Sequence, residues 1–357
     1  MRPIEEWICD NLGVEWTDSA TLRYDGMEHQ LPSDLGGVHR PYTPDRIDDW
    51  IDLSFVLSYL TALGTTGRIL DIGTGDGWPS LPLAPFVQEM IGIDQAKSRI
   101  DTAKENLARL GYRNVTFLVA SGEALPFPDR AFDGVVAGTA IEQMPSPEGC
   151  LNEIHRVLRE GGSLVATFEN LEGELKGSVE ETVELFREED LVSYRYTVKE
   201  LDPPREAEYL IILTPNPELE KLAAAFPRRL GFVRRRGEPG ERPLTEEIAE
   251  VYGLPLLERF SGSIERARGF KLRHFTQSSL RRALSKAGFP EVKVRGPITR
   301  IASRFFIALH EEGALEKLSP EFLQICRGLS HAWEEVPPGG SSILFVRARK
   351  DDRCHTR

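Results

Sequence analysis

The stretch Arg68-Ile69-Leu70-Asp71-Ile72-Gly73-Thr74-Gly75-Asp76-Gly77, followed downstream by Ile91-Gly92-Ile93-Asp94, constrains this chain more than any other feature. A short apolar run breaks into a glycine-rich turn, a helical pattern follows, and a second apolar run ends on an acid. That order describes a strand, a turn that hugs a nucleotide, a crossover helix and a parallel strand whose last carboxylate can reach a ribose. Read by itself, the turn could equally serve another α/β protein that needs glycine for positive φ.

The kind of nucleotide follows from what stands beside the glycines. A dinucleotide fingerprint needs Gly or Ala at position 78, where this chain has Trp78, so the close helix–strand approach is lost. No Gly-Lys-Ser/Thr follows, which removes the phosphate-cradling loop of NTPases. Asp71 and Asp76 flank the turn, and each would repel a pyrophosphate by roughly 1 kcal/mol or more at about 4 Å. They suit a cofactor that carries an ammonium and a sulfonium.

From here the residues resemble a family, the class I S-adenosylmethionine-dependent methyltransferases, and within it the small-molecule branch of ubiquinone and menaquinone biosynthesis. The resemblance runs through the glycine loop, Ala120-Ser121-Gly122-Glu123-Ala124-Leu125-Pro126-Phe127-Pro128-Asp129, Phe132-Asp133-Gly134-Val135-Val136-Ala137 and Glu153-Ile154-His155-Arg156-Val157-Leu158-Arg159-Glu160-Gly161-Gly162. It covers about residues 67–170 well and 276–349 more loosely.

The resemblance implies roles. Amides of Gly73, Thr74, Gly75 and Gly77 would lie against the methionine part, and Asp71 would meet its amino group through the loop. Asp94, with Gln95 beside it, would serve the ribose. Ser121, Gly122 and Glu123 would line the adenine, although Ser121 stands where relatives carry an Asp; serine accepts a neutral, shorter contact, or Glu123 substitutes. Gly138, Thr139 and Ala140 would face the reactive end. Trp78 would stack on a ligand through cation–π attraction or simply pack.

Methylating a hydroxyl, an acidic carbon or a protonated amine usually needs a base. His39, Glu142 and His274 are the candidates, with Tyr42 as a positioning group. Glu142 could instead favour a helix N-terminus. His155 reads as structural. The segment Ala137-Gly138-Thr139-Ala140 replaces the Asn/Asp-Pro-Pro-Tyr/Phe of methyltransferases acting on nucleic-acid amino groups. The leading expectation is therefore methyl transfer to a small molecule. An RNA- or protein-directed enzyme and a non-catalytic cofactor-binding subunit are the alternatives.

Composition is that of an ordinary globular protein, 40% hydrophobic and 28% charged, at net charge −12. The acidity argues against general nucleic-acid affinity. Residues 221–310 nevertheless hold 19 Lys and Arg against 8 Asp and Glu, with Arg228, Arg229, Arg234, Arg235 and Arg236 most dense. That stretch is a solvated face, or else a dock for an anionic substrate or an RNA. No leader-like h-region and no apolar run of some 18 residues occur. Cys9, Cys150, Cys326 and Cys354 lie far apart without metal-ligand spacing. A cytoplasmic protein with reduced thiols and no metal site is expected.

Strands are expected at 68–71, 89–93, 115–119, 132–137 and 163–168, alternating with helices at 79–86, 96–110 and 147–159. This implies a doubly wound, Rossmann-like α/β fold with the seven-stranded sheet of the methyltransferases and an α+β insertion. Four segments result. Residues 1–66 form a cap plus a helix near 47–63, and 67–170 the cofactor core. Residues 171–270 form an insertion serving as lid, appendage or homodimer contact, and 271–350 the rest of the core. The insertion reads as a charged helix near 178–190, strands 192–201 and 207–214, a helix 217–226 and a linker 234–243. Thr276 should cap a helix over 277–287, and strands 291–295 and 343–348 should close the sheet as a hairpin.

Overall fold

The computed structural model describes residues 3–17, 55–56, 58–175, 179–188, 190–226, 229–231, 241–243, 250–296, 307–308, 311–313 and 343–351. The chain divides into two compact units, Met1–Asp18 with Leu175–His274, and Ser19–Glu174 with Phe275–Arg357. These limits differ from the sequence division at 66, 170 and 270. The N-terminal residues 3–17 join the insertion, and the expected helix over 47–63 is described only at 55–56 and 58–63. Among the described residues no helix is long and apolar enough to cross a membrane.

The larger unit holds a seven-stranded sheet in the order Glu291–Arg295, Ile343–Arg349, Leu158–Glu169, Phe132–Gly138, Arg68–Ile72, Glu89–Asp94, Val115–Val119. Five of these strands are mutually parallel. Ile343–Arg349 runs antiparallel to both of its neighbours, as the expected hairpin requires. The inner strands are continuous apolar runs because both faces are covered. Ile69, Leu70, Ile72, Met90, Ile93, Val135, Val136 and Val165 are all fully buried, divided between two apolar layers.

Local chemistry sets the ends of the helices. Lys97–Leu110 stops at Gly111, whose φ of 72° and bond to the Leu107 carbonyl make a left-handed cap. Pro147–Val157 starts at Ser146, whose hydroxyl accepts from the Gly149 amide. Thr276 and Ser279 form a reciprocal capping box for Gln277–Lys286.

Strand order reverses at Arg68–Ile72. The next strand in sequence lies on one side and Phe132–Gly138 on the other. Such a switch point leaves a crevice beyond the carboxyl ends of the strands.

Arg156 fastens the loop that leads into Phe132–Gly138. Its guanidinium donates to the carbonyls of Phe127 (2.8 Å) and Leu125 (3.1 Å) and pairs with Asp129 (2.9 Å) and Glu153 (2.8 Å). Glu153 in turn accepts from the Leu125 amide at 2.8 Å. The Glu-x-x-Arg spacing is thus a clamp on the 125–129 loop. Arg156→Met should destabilise the fold by roughly 1–3 kcal/mol, the cost of stranding polar partners, as read by urea denaturation. An unchanged midpoint would remove the clamp's importance.

The smaller unit is a second seven-stranded sheet, ordered Val14–Thr17, Ile264–Arg273, Pro204–Leu213, Leu191–Leu201, Val179–Glu188, Arg229–Gly231, Glu241–Pro243. Helices Pro3–Asn11, Pro217–Ala225 and Leu254–Arg259 contribute Ile4, Ile8, Leu219, Leu256 and Leu257 to its apolar layer. The expected helix near 178–190 is a strand. Glutamates favour helix intrinsically, but Val183 and Leu185 alternate with Thr182 and Glu184, a period of two. Cross-strand partners then decide the outcome: Glu184 pairs with Arg195 at 2.8 Å, and Glu181 accepts from the Tyr196 hydroxyl. The N-terminal helix is anchored by Glu5, which is buried and accepts from Arg205 (3.0 Å) and Tyr209 (2.9 Å).

Candidate active site

The crevice is built by the turn after Ile72. Gly73, Gly75 and Gly77 have φ of 68°, 54° and 111°, values that disfavour any side chain with a Cβ. The Gly73 and Thr74 amides both donate to the Ile93 carbonyl at 2.9 Å, and Gly77 closes the turn onto the Thr74 carbonyl at 2.8 Å. Asp94 fixes the loop from the side, accepting from the Gly75 amide at 3.0 Å and the Ala96 amide at 2.9 Å. Asn106 holds the Asp76 carbonyl at 2.9 Å. A Cβ on Gly73 would stand 2.3 Å from that of Ala140, so the two walls touch only because Gly73 has none.

The cleft above this turn encloses about 220 Å³. Gly73, Thr74, Gly75 and Asp76 line one side, with Asp94 and Gln95 at the end of the next strand. Gly122, Gly138, Thr139 and Ala140 complete it. The structure thus gathers most of the expected cofactor residues around one cleft. Gly77 shapes the turn from outside the lining. Trp78 lines the cleft and packs against the core.

Asp71 lies beneath the turn, fully buried. One carboxylate oxygen accepts from the Ser80 hydroxyl at 2.7 Å, and Thr74 donates to that same hydroxyl at 3.2 Å. The other oxygen has no hydrogen-bond partner among the described residues. Burial pushes the Asp71 carboxyl up to about 7, against the lowering pull of the Ser80 and Thr74 hydroxyls; the nearby charge of Asp94 pushes further upward.

The remaining candidates have other engagements. Ser121 accepts from the Gln95 amide nitrogen at 2.6 Å and the Glu123 amide at 3.1 Å. Both lone pairs are thereby used, which leaves its O–H to donate. Glu123 accepts from the Ser146 amide at the start of the next helix and does not line the cleft. Glu142 is buried, accepts from the Glu169 amide at 3.0 Å, and also lies outside the lining. That bond places Glu142 as a brace between its turn and the end of Leu158–Glu169. His274 belongs to the smaller unit. Its amide donates to the Pro204 carbonyl at 3.1 Å, and its buried ring lies 3.7 Å from Glu206. His39 and Tyr42 lie outside the described residues. His155 packs edge-on against Phe289, consistent with a structural role.

Four lining residues escaped the sequence reading: Arg99, Gln143, Met144 and Pro145. Arg99 is 8% exposed on the helix after Asp94. Its signal was available, since the third residue of a crossover helix turns back toward the loop. Met144 was less legible; its thioether lies where a Cβ on Gly122 would be.

Residues 70–166 match a family model described as a methyltransferase domain. This segment is a class I, S-adenosylmethionine-dependent methyltransferase domain. It is similar to the uncharacterized methyltransferase YcgJ of Bacillus subtilis, 37% identical over 95 residues, which cover 27% of this chain and 38% of that protein. The ubiquinone/menaquinone biosynthesis C-methyltransferase UbiE of Coxiella burnetii is 28% identical over 152 residues, covering 42% and 55%. A protein-L-isoaspartate O-methyltransferase of Nitrobacter winogradskyi is 32% identical over 116 residues, covering 28% and 54%. The chain therefore spans about half, or less, of these relatives' lengths. Among solved structures, the CcbJ methyltransferase of Streptomyces caelestis is 13% identical, with a TM-score of 0.49 covering 94% of this chain and 99% of that one.

The methyltransferase domain fits the donor on its own geometry. Gly75 lines the cleft with nothing within 4 Å of where a Cβ would stand, so a ligand can lie against the backbone there. Asp76 and Asp94 line the cleft, and Asp71 beneath it keeps an unpartnered buried oxygen. That set favours a cation over a diphosphate.

Proposed function

We propose that this protein transfers a methyl group from S-adenosylmethionine to a small-molecule acceptor. What carries the reading is Asp94, whose carboxylate is oriented at the cleft by two backbone amides, of Gly75 and Ala96. A carboxylate at the end of this strand is an acceptor of the kind that ribose hydroxyls require. The donor, when bound, supplies a methyl group already activated by a sulfonium. What falls to the chain is to hold and orient, a contribution that well-placed groups raise to roughly 7–11 kcal/mol. The glycines set the approach, whereas the amides of Gly73, Thr74, Gly75 and Gly77, expected against the methionine part, already donate to Ile93, Asp94 and Thr74. Asp76 and Asp94 supply negative potential, and Gly138–Ala140 form the wall toward the acceptor.

The test is calorimetric. S-adenosylhomocysteine should bind, while NAD and ATP should not. Asp94→Ala should weaken that binding by about 1–3 kcal/mol, because a hydroxyl pair loses its acceptor. Unchanged affinity would count against the ribose contact. Tight NAD or ATP binding with silence toward S-adenosylhomocysteine would end the assignment. Incubating cell extract with a deuteriomethyl donor and searching by mass spectrometry for the shifted product then identifies the acceptor. We further propose that the basic stretch favours an anionic acceptor over nucleic acid, which retention on heparin with methylation of bulk tRNA would contradict. The smaller unit is proposed as a homodimer contact, to be checked by sedimentation. His39 is proposed as the base.

A further inference from the structure

Thr139 stands at a φ of 48°. A β-branched residue there is a true outlier, and such strain persists only where its surroundings over-determine it. They do so here. The Thr139 amide donates to both the carbonyl (3.0 Å) and the hydroxyl (3.1 Å) of Thr167. Its carbonyl accepts from Gln143 at 2.6 Å. Behind them the buried Tyr59 hydroxyl pairs with Thr167 at 3.2 Å and donates to the Ala137 carbonyl at 3.1 Å.

The chain's own usage argues that more than a turn is needed. Where the cofactor loop requires positive φ, at 73, 75 and 77, it has glycine. Glycine at 139 would turn the chain equally well without strain. The side chain is therefore retained at a cost, and its hydroxyl makes no hydrogen bond among the described residues while Thr139 lines the cleft. Its place is informative too. Asp94 ends the strand on one side of Arg68–Ile72 and Gly138 the strand on the other. They stand two strand spacings apart, about 10 Å, with the glycine loop between. A ligand whose ribose lies at Asp94 and whose charged end crosses the loop has its transfer end toward Thr139.

We infer that Thr139 is a positioning residue for the transfer, its hydroxyl holding the reacting oxygen or nitrogen of a hydroxyl- or amine-bearing acceptor; this rests on the methyltransferase reading above. The acceptor's lone pair forms the new bond to carbon, the C–S pair stays on sulfur, and the acceptor's proton passes to the general base and from it to water. Thr139 keeps its own proton throughout.

Three measurements on Thr139→Gly and Thr139→Ser test this: the thermal midpoint, the dissociation constant of S-adenosylhomocysteine, and the initial rate of tritiated-methyl transfer to the extract pool that the natural protein labels. The glycine variant should melt no lower than the natural protein and bind S-adenosylhomocysteine within about threefold, yet transfer roughly thirtyfold more slowly. The serine variant keeps the hydroxyl and should stay within about fivefold of the natural rate. A glycine variant of near-natural rate, a serine variant as slow as glycine, a lowered glycine midpoint, or a loss of affinity equal to the loss of rate each overturns the inference. If the natural protein ignores S-adenosylhomocysteine, the methyl-transfer reading fails and takes this inference with it; intact binding with an unimpaired glycine variant removes only the role of Thr139.

Discussion

Asp71→Asn is expected to make the protein more stable than the natural sequence at pH 8 and less stable at pH 4. Burial without a full set of donors raises the Asp71 carboxyl from 3.8 to about 7. The unfolded chain therefore releases this proton near pH 4 and the folded chain only near pH 7. Between those values the native state holds more protons, so stability falls as pH rises, and the loss is complete above pH 7. The full penalty amounts to about 4 kcal/mol at most. Asparagine escapes it while keeping an acceptor for Ser80. Its amide hydrogens then point where the carboxylate oxygen has no partner, at a cost of about 1–3 kcal/mol. The two terms leave a net gain of about 1–3 kcal/mol at pH 8 and a net loss near pH 4, with the stability curves crossing in between. Urea melts across that range settle it; parallel curves would mean that Asp71 is not the titrating group. The same carboxylate should matter to the donor's ammonium. S-adenosylhomocysteine should therefore bind the natural protein more tightly as pH rises through 7, a trend the asparagine variant lacks.

Much of this architecture was legible because the relevant signals are local. The strands of the larger sheet are buried on both faces, so Ile69–Ile72 or Val135–Ala137 declare themselves as apolar runs. Thr276 announces its helix by capping chemistry that needs no distant partner. The smaller sheet was obscure for the opposite reason. Val179–Glu188 is rich in helix-favouring glutamate, and only its pairing with Leu191–Leu201 makes it a strand. Val14–Thr17 finds its partner about 250 residues away, at Ala267–Phe270. The site divides in the same way. The glycine turn and Asp94 are adjacent in the motif. The engagement of Ser121 with Gln95, the brace from Glu142 to Glu169, and the arrival of Met144 over Gly122 all depend on how three strand ends converge. Strain at Thr139 has no sequence signature, since any turn residue could occupy that place.

Gly73→Ala should abolish measurable S-adenosylhomocysteine binding and destabilise the fold by about 2–5 kcal/mol, the sum of two separable effects. The first is conformational: a φ of 68° forces an L-residue into the left-handed region, at about 1–2 kcal/mol. The second is steric: the new Cβ meets that of Ala140 at 2.3 Å, and overpacking of this kind typically costs about 1–3 kcal/mol. Neither wall can yield without consequence. Moving the loop breaks the amide bonds of Gly73 and Thr74 to Ile93, and moving Ala140 displaces Thr139 and Gln143 beside the cleft. Two companion variants separate the terms. Gly75→Ala, at φ 54° with nothing near its Cβ position, carries only the conformational cost of about 1–2 kcal/mol. Adding Ala140→Gly to Gly73→Ala removes the collision and should recover about 1–3 kcal/mol without restoring natural stability. If Gly73→Ala and Gly75→Ala unfold at the same urea concentration and bind alike, contact between the two walls is not what shapes this cleft.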